Sequence, residues 1–182
     1  MQPAWPHVID AFHRGALIAY PTEAVWGLGC DPWNETAVRQ LLALKQRPLA
    51  KGLILVAGDE ATLAPYLRHL SSDQRRQLSA TWPGPVTWLI PAPYWVPHWI
   101  SGGQPTLAVR VSAHPVIRQL TGRLGEPIVS TSANRTGCPP ARYRFQVKRW
   151  FGDQVALSMA GALGGDAQPT TIRDLNSGQT LR

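Results

Sequence analysis

The stretch NETAVRQLLALKQRPLAKGLILVA, residues 34–57, runs from a helix through a charged turn into a buried strand. Asn34 can cap a helix, and from about Glu35 to Arg47 the residues Ala37, Val38, Leu41, Leu42 and Leu44 recur at helical spacing on an inner side. Pro48 closes that helix, because the residue before a proline is pushed out of the helical region. Gly52 to Ala57 is a short apolar run of the length of a buried strand. A helix feeding an apolar strand is the unit from which α/β sheets are built.

The same alternation continues to both sides. Toward the N-terminus, Val8 to His13 predicts a short helix ended by Gly15, and Ala16 to Tyr20 predicts a buried strand stopped by Pro21. Toward the C-terminus, helices are expected over Glu60–Leu67, Ser72–Ala80, His114–Leu124 and Tyr143–Phe151. Strands are expected over Pro85–Ile90, Thr106–Val111 and Pro127–Ser130, with two or three more near the end of the chain. The pattern predicts an α/β fold, a mixed sheet covered by helices. The stretch 91–105, rich in Trp and Pro, reads as a packed surface loop or as a flap over a site. The 17 prolines are spread through the loops, so no linker divides the 182 residues, and one domain is expected over 1–182.

Composition narrows the partners. The net charge of +7 favours anions such as nucleotides, RNA or acidic lipid without choosing among them. No apolar run reaches the ~20 residues of a membrane span, and no export signal is evident, so a cytoplasmic protein without membrane contact is expected, with Cys30 and Cys138 reduced. Several chemistries lack their signatures. There is no Walker A motif, no G-x-G-x-x-G, no G-x-S-x-G and no C-x-x-C, and the five histidines show no metal-ligand spacing. Any phosphate chemistry must rest on side-chain cations, hydroxyls and loop amides.

Five segments could carry chemistry. Lys45, Arg47 and Lys51 crowd the turn between helix and strand. Such cations complement a helix C-terminus, or they hold a triphosphate and stabilise charge at a reacting phosphorus. Thr22 and Glu23 follow a strand, where α/β sheets bind small ligands, though a capped turn would look the same. The run Ser130-Thr131-Ser132-Ala133-Asn134 offers small side chains with many donors and acceptors, or ordinary turn chemistry. Arg110 lies in the apolar strand LAVRV, where a charge requires a carboxylate partner or an anionic ligand. With only 11 acidic residues in the chain, the ligand gains weight. The run Trp82-Pro83-Gly84-Pro85-Val86-Thr87 reads as a scaffold turn into a strand.

In this order the segments resemble the YrdC family. The matching runs are YPTEAVWGLG at 20–29, KQRPLAKGL at 45–53, WPGPVT at 82–87, LAVRV followed by His114, STSANRTG at 130–137, and PTTIRDL at 169–175. The resemblance implies a twisted open mixed sheet with flanking helices and a basic concave cavity. It also implies a nucleotidyltransferase that makes threonylcarbamoyl-AMP from L-threonine, bicarbonate and ATP and releases pyrophosphate. A separate tRNA threonylcarbamoyl transferase complex would then modify adenosine 37 of tRNAs reading ANN codons. Mg²⁺, held mainly by phosphates, is the expected ion.

Carried over by position, Lys45 and Arg47 match the family's catalytic basic pair. Arg47, Lys51, Ser132, Asn134 and Arg182 would face ATP, and Thr22, Arg110, Ser130 and Thr170 would surround threonine. Glu23 is the one candidate general base. Trp26, Ser112, Thr136 and Pro169 depart from the family's usual residues. Two other readings stand beside this one. One is a non-enzymatic protein that binds RNA in the basic cavity. The other is a different carbamoyl adenylation, as in hydrogenase maturation proteins, whose zinc-binding and acylphosphatase-like parts have no counterpart in this sequence.

Overall fold

The computed structural model describes residues 4–165 and 170–181. Eight strands form one sheet: β1 (Ile18–Pro21), β2 (Trp26–Cys30), β3 (Ile54–Ala57), β4 (Val86–Pro91), β5 (Thr106–Val111), β6 (Ile128–Ser132), β7 (Leu157–Ser158) and β8 (Thr171–Asp174). Their order is β7-β1-β2-β6-β3-β5-β4-β8. The pairs β1·β7, β3·β5 and β4·β8 are parallel and the other four antiparallel, so the sheet is mixed, as expected. The helices are α1 (Trp5–His13), α2 (Glu35–Lys45), α3 (Glu60–Leu67), α4 (Ser72–Ser79), α5 (His98–Ser101), α6 (Pro115–Leu124) and α7 (Arg144–Phe151).

Strand β2, like the short helix α5, is an element that the residue pattern did not announce. WGLGC alternates glycine with apolar residues and carries little strand propensity. The sheet explains its glycines. Gly27 and Gly29 pair with Tyr20 and Ile18 on β1, and the buried Tyr20 ring lies across them. A methyl group at Gly27 would stand 2.9 Å from Cε2 of Tyr20, and one at Gly29 would meet the Val129 carbonyl. Several boundaries shift by one to three residues: β1 runs Ile18–Pro21 and so includes the proline expected to stop it, β3 starts at Ile54, and β6 extends to Ser132. Helix α2 stops at Lys45 because Gln46 turns left-handed, with φ of 52°, which leaves Arg47 in the turn. Helix α1 begins three residues earlier than expected, with a proline in its first turn, where a missing N–H costs nothing.

Register sorts the side chains onto two faces. Ala19, Leu28, Cys30, Leu55, Ala57, Val109 and Val111 point to the face covered by α2, α3 and α4 and belong to the larger core cluster. Ile18, Tyr20, Val56 and Ile128 point the other way, into a smaller cluster with Val8 and Phe12 of α1 and Ile117 and Leu120 of α6. These two helices cover only part of that second face. The remainder, over β3, β5, β4 and β8, is the floor of a cavity.

The segment 91–105 packs on the body of the fold, and its Ile100, Ser101 and Gln104 also line that cavity. Helix α5 lies inside it, Ile100 is 1% exposed, and the Ile100 carbonyl accepts the Leu53 amide at 2.9 Å. Trp95 lies 5.0 Å from the Tyr66 ring and 6.0 Å from the Trp33 ring. Cys30 is buried and Cys138 exposed, and both are free thiols, as expected.

Candidate functional site

The open part of the sheet forms a cavity of about 680 Å³, within the ~300–1,000 Å³ common for small-molecule sites. Thr22, Arg47, Lys51, Arg110, Ser130, Ser132 and Thr170 all line it. Seven of the residues singled out in sequence, drawn from five segments, thus share one cavity. Strand pairing brings them together: Ser130 sits opposite both Gly29 and Ile54, and Arg110 opposite Val56. Lys45 and Asn134 stand just behind the wall. Pro169 and Arg182 lie outside the described residues.

Lys45 ends α2 and is 3% exposed. Its ammonium reaches across to the STSAN loop, donating to the Ser132 carbonyl, to the Asn134 carbonyl at 2.8 Å and to the Asn134 side-chain oxygen at 3.3 Å. The loop answers: Thr136 donates from its amide and its hydroxyl to the Lys45 carbonyl at 2.8 and 3.0 Å. Burial, with the charge of Arg47 nearby, pulls the Lys45 pKa down to about 8. Lys45, expected as half of a catalytic basic pair, does not itself line the cavity in this arrangement. It clamps the loop that presents Ser132, whose hydroxyl donates to Asn134 at 2.6 Å.

Arg47 is bent over the turn that follows. Its Nη2 donates to the Gly52 carbonyl at 2.9 Å and more weakly to Lys51 at 3.4 Å. Lys51 ends a short 3-10 turn, Leu49–Lys51, and is exposed at the cavity mouth.

Arg110 does have the carboxylate partner that the scarcity of acids argued against. Its Nη2 lies 2.8 Å from Oε2 of Glu23, and its Nε donates to the Gly84 carbonyl at 3.0 Å. The Trp82–Gly84 turn, read as scaffold, thus holds the guanidinium from behind. The Ser112 hydroxyl donates to the other Glu23 oxygen at 2.6 Å. Burial alone would raise the Glu23 pKa, but Arg110 and Ser112 outweigh it and hold the carboxyl below its usual range. A carboxylate so held is a weaker proton acceptor than a free one, and its visible role is to orient Arg110. Its part in holding Arg110 needed the fold to be visible, since 87 residues separate the two in sequence.

His114 does not line the cavity. It caps α6, accepting the Val116 amide at Nδ1 at 3.3 Å, while Nε2 donates to the Ala162 carbonyl at 3.0 Å. The Thr22 hydroxyl donates to the Val25 carbonyl at 2.7 Å, closing the turn between β1 and β2. Thr170 directly precedes β8, its hydroxyl 3.4 Å from that of Thr87.

The model of the Sua5/YciO/YrdC family, described as "Telomere recombination", matches residues 10–182. The chain belongs to this family. A threonylcarbamoyl-AMP synthase of Cellvibrio japonicus is 48% identical over the whole of this chain and 96% of its own length. One of Chromohalobacter salexigens is 55% identical over 96% of this chain and 94% of its own. Among solved structures, P. abyssi Sua5 complexed with L-threonine superposes with a TM-score of 0.86 at 29% identity. That match covers 94% of this chain and 51% of the other, so the chain spans about half the length of that Sua5. The twisted open sheet expected from the YrdC resemblance is thus the family's fold. E. coli YciO shares it, with a TM-score of 0.83 at 24% identity.

Proposed function

We propose that this family member is an enzyme, a nucleotidyltransferase that joins L-threonine, bicarbonate and ATP into threonylcarbamoyl-AMP and releases pyrophosphate. The product supplies the group that a transferase complex places on adenosine 37 of tRNA. The observation that carries the reading is one cavity with two chemically distinct ends. Arg47 and Lys51 flank the start of β3, and Arg110 stands opposite Val56 near its end. From Gly52 to Val56 is roughly 13 Å at ~3.3 Å per residue. This separates a cationic end suited to a triphosphate from an end suited to a small amino acid.

In this reading threonine lies against Thr22, Ser130 and Thr170, its carboxylate on the guanidinium of Arg110. Glu23 keeps that guanidinium oriented, and the Gly84 carbonyl fixes its plane. The threonine nitrogen attacks the carbon of bicarbonate, and loss of water leaves an N-carboxylate. An oxygen of that carboxylate attacks the α-phosphorus of ATP, and the bond to the β-phosphate oxygen breaks to release pyrophosphate. Every reactant is an anion, so the work is bringing like charges together, which fixed cations in a water-poor site do. Arg47 and Lys51 spread over the phosphates, the Ser132–Asn134 loop receives the nucleoside end, and Lys45 holds that loop. Glu23 is the one carboxylate on the cavity wall among the described residues, and both its oxygens are engaged. Mg²⁺ would therefore take its ligands from phosphates and water, supplying charge neutralisation there.

Pyrophosphate release measured with and without L-threonine and bicarbonate tests the reading. Release that needs both substrates supports it, whereas release indifferent to threonine would sink it.

A further inference from the structure

We propose that His13, Asp31 and Glu126 form a binding site for a divalent transition-metal ion of the zinc class, beyond the paired ends of β2 and β6. A ring nitrogen of the histidine and an oxygen of each carboxylate all lie within 4.8 Å of one another. None of the three residues lines the substrate cavity, so the site is separate from any Mg²⁺ that enters with ATP. The fold brings them together from three elements. His13 is the last residue of α1, whose Phe12 is buried in the smaller core cluster. Asp31 directly follows β2, and Glu126 stands two residues before β6. Cys30 pairs with Val129, so the two carboxylates come off neighbouring strand ends although they lie 95 positions apart in sequence. Ligands carried at the ends of packed elements are held closely, as a metal site requires.

Charge is what sets this group apart. The chain has 11 Asp and Glu against 18 Lys and Arg. Asp10, Glu23, Glu35 and Asp73 each take an arginine. Asp31 and Glu126 have neither lysine nor arginine within ion-pair distance among the described residues, and they meet each other instead. Two carboxylates sharing a site repel unless a cation stands between them. Asp31 is 9% exposed. Its Oδ1 accepts the Trp33 amide at 2.8 Å, and its Oδ2 accepts no hydrogen bond from a described residue. An anionic oxygen without a donor in so buried a side chain is costly, and a metal ion supplies what it lacks. Nδ1 of His13 lies 3.7 Å from Oε1 of Glu126, too long for a hydrogen bond. A protonated imidazole would also answer only one carboxylate. A divalent ion answers both and takes the imidazole as a neutral ligand. Metal bonds of ~2.0–2.2 Å put ligands of a tetrahedral ion ~3.4 Å apart, so small side-chain rotations complete the site. One imidazole with two carboxylates suits zinc-class ions, whereas Mg²⁺ and Ca²⁺ favour oxygen ligands in greater number. The His13 and Glu126 side chains are 49% and 23% exposed, which admits water as a further ligand. The bound ion would tie the end of α1 to the ends of β2 and β6.

The test is isothermal titration calorimetry and thermal melting of untagged, chelator-treated protein with Zn²⁺ and with Mg²⁺. The expected result is one Zn²⁺ per chain and much weaker binding of Mg²⁺. Zn²⁺ at about a hundredfold over its Kd should raise Tm by roughly 5–10 °C. His13→Gln and Glu126→Gln should each weaken Zn²⁺ binding by at least about a hundredfold, since changes in the outer shell alone cost ~10–100-fold. In both variants the Zn²⁺-dependent rise in Tm should disappear, while the metal-free proteins melt close to the parent. Cys138→Ser removes the exposed thiol and should bind Zn²⁺ as the parent does. Co²⁺ should give the parent a visible absorption band that His13→Gln lacks. Zn²⁺ binding untouched by both glutamine substitutions, binding lost in Cys138→Ser, or tighter binding of Mg²⁺ than of Zn²⁺ would overturn the proposal. The absence of Zn²⁺ binding would also overturn it, leaving His13 as a protonated partner of Glu126.

Discussion

At the scale of single residues, three side chains separate binding from positioning. Arg47 reaches the cavity from a turn fixed by its own hydrogen bonds, so its removal takes away a placed cation without emptying the core. Arg47→Ala should lower threonine-dependent pyrophosphate release several-hundred-fold, about 2.7–4 kcal/mol by analogy with the loss of one oxyanion donor. Near-normal turnover in a steady-state assay would remove Arg47 from the mechanism. Lys45 behaves differently because it is buried and its pKa is drawn down to about 8. Below that pH its ammonium clamps the Ser132–Asn134 loop, and above it the charge is lost. The affinity for ATP should therefore weaken on the alkaline side, with a midpoint near pH 8. In Lys45→Arg, which stays charged, this limb should vanish, and a profile identical to the parent's would count against the clamp. Glu23→Gln should raise the KM for threonine with a smaller effect on kcat, because it loosens Arg110 without touching the phosphates. A fall in kcat alone would instead return Glu23 to the role of base.

At the scale of elements, the informative pieces are β2 and the segment 91–105. Strand β2 exists because its glycines let the Tyr20 ring and the Val129 backbone come close. Gly29→Ala should cost about 1–3 kcal/mol, as overpacking of a tight site does, and should appear as a lower Tm. A melting curve unchanged by this substitution would contradict the packing described for β1, β2 and β6. The same close approach explains why sequence periodicity passed over the strand: a strand with glycines at alternate positions has no side chains on one face to alternate. The segment 91–105 was ambiguous for a related reason. Its aromatic residues could close over a ligand or pack on the body, and the positions of Tyr66 and Trp33 show where Trp95 packs. Tyr94, at 99% exposed, is the one ring at its tip left wholly in water.

At the scale of the whole molecule, the Glu23–Arg110 pair links the strand-end turn to the far half of the sheet and should leave a mark on stability. Glu23 has a folded-state pKa below its unfolded value. Its contribution is therefore complete above the unfolded value, about 4.3, and is lost as pH falls through the folded one. Glu23→Gln should lower stability near neutrality by about 1–3 kcal/mol, by leaving a buried charged donor poorly matched, and should flatten the acid limb of denaturation. Parallel acid limbs for parent and variant would show that the pair is not coupled to folding.

The alternation of helices and strands was legible in the chain alone, because periodicity and punctuating prolines and glycines are local signals. So were the short runs that carry the polar residues of the site. Seven of those residues meet in one cavity, because strand pairing fixes their alternation about a common sheet. Which of them face the cavity and which stand behind it depends on long-range packing. Lys45 sits at helical spacing like any terminal cation, and its burial under the STSAN loop depends on α2 packing beside β6. Glu23 looked like a free carboxylate until β5 brought Arg110 to it. Pairings between residues tens of positions apart are set by the sheet's order, and no local pattern encodes that order.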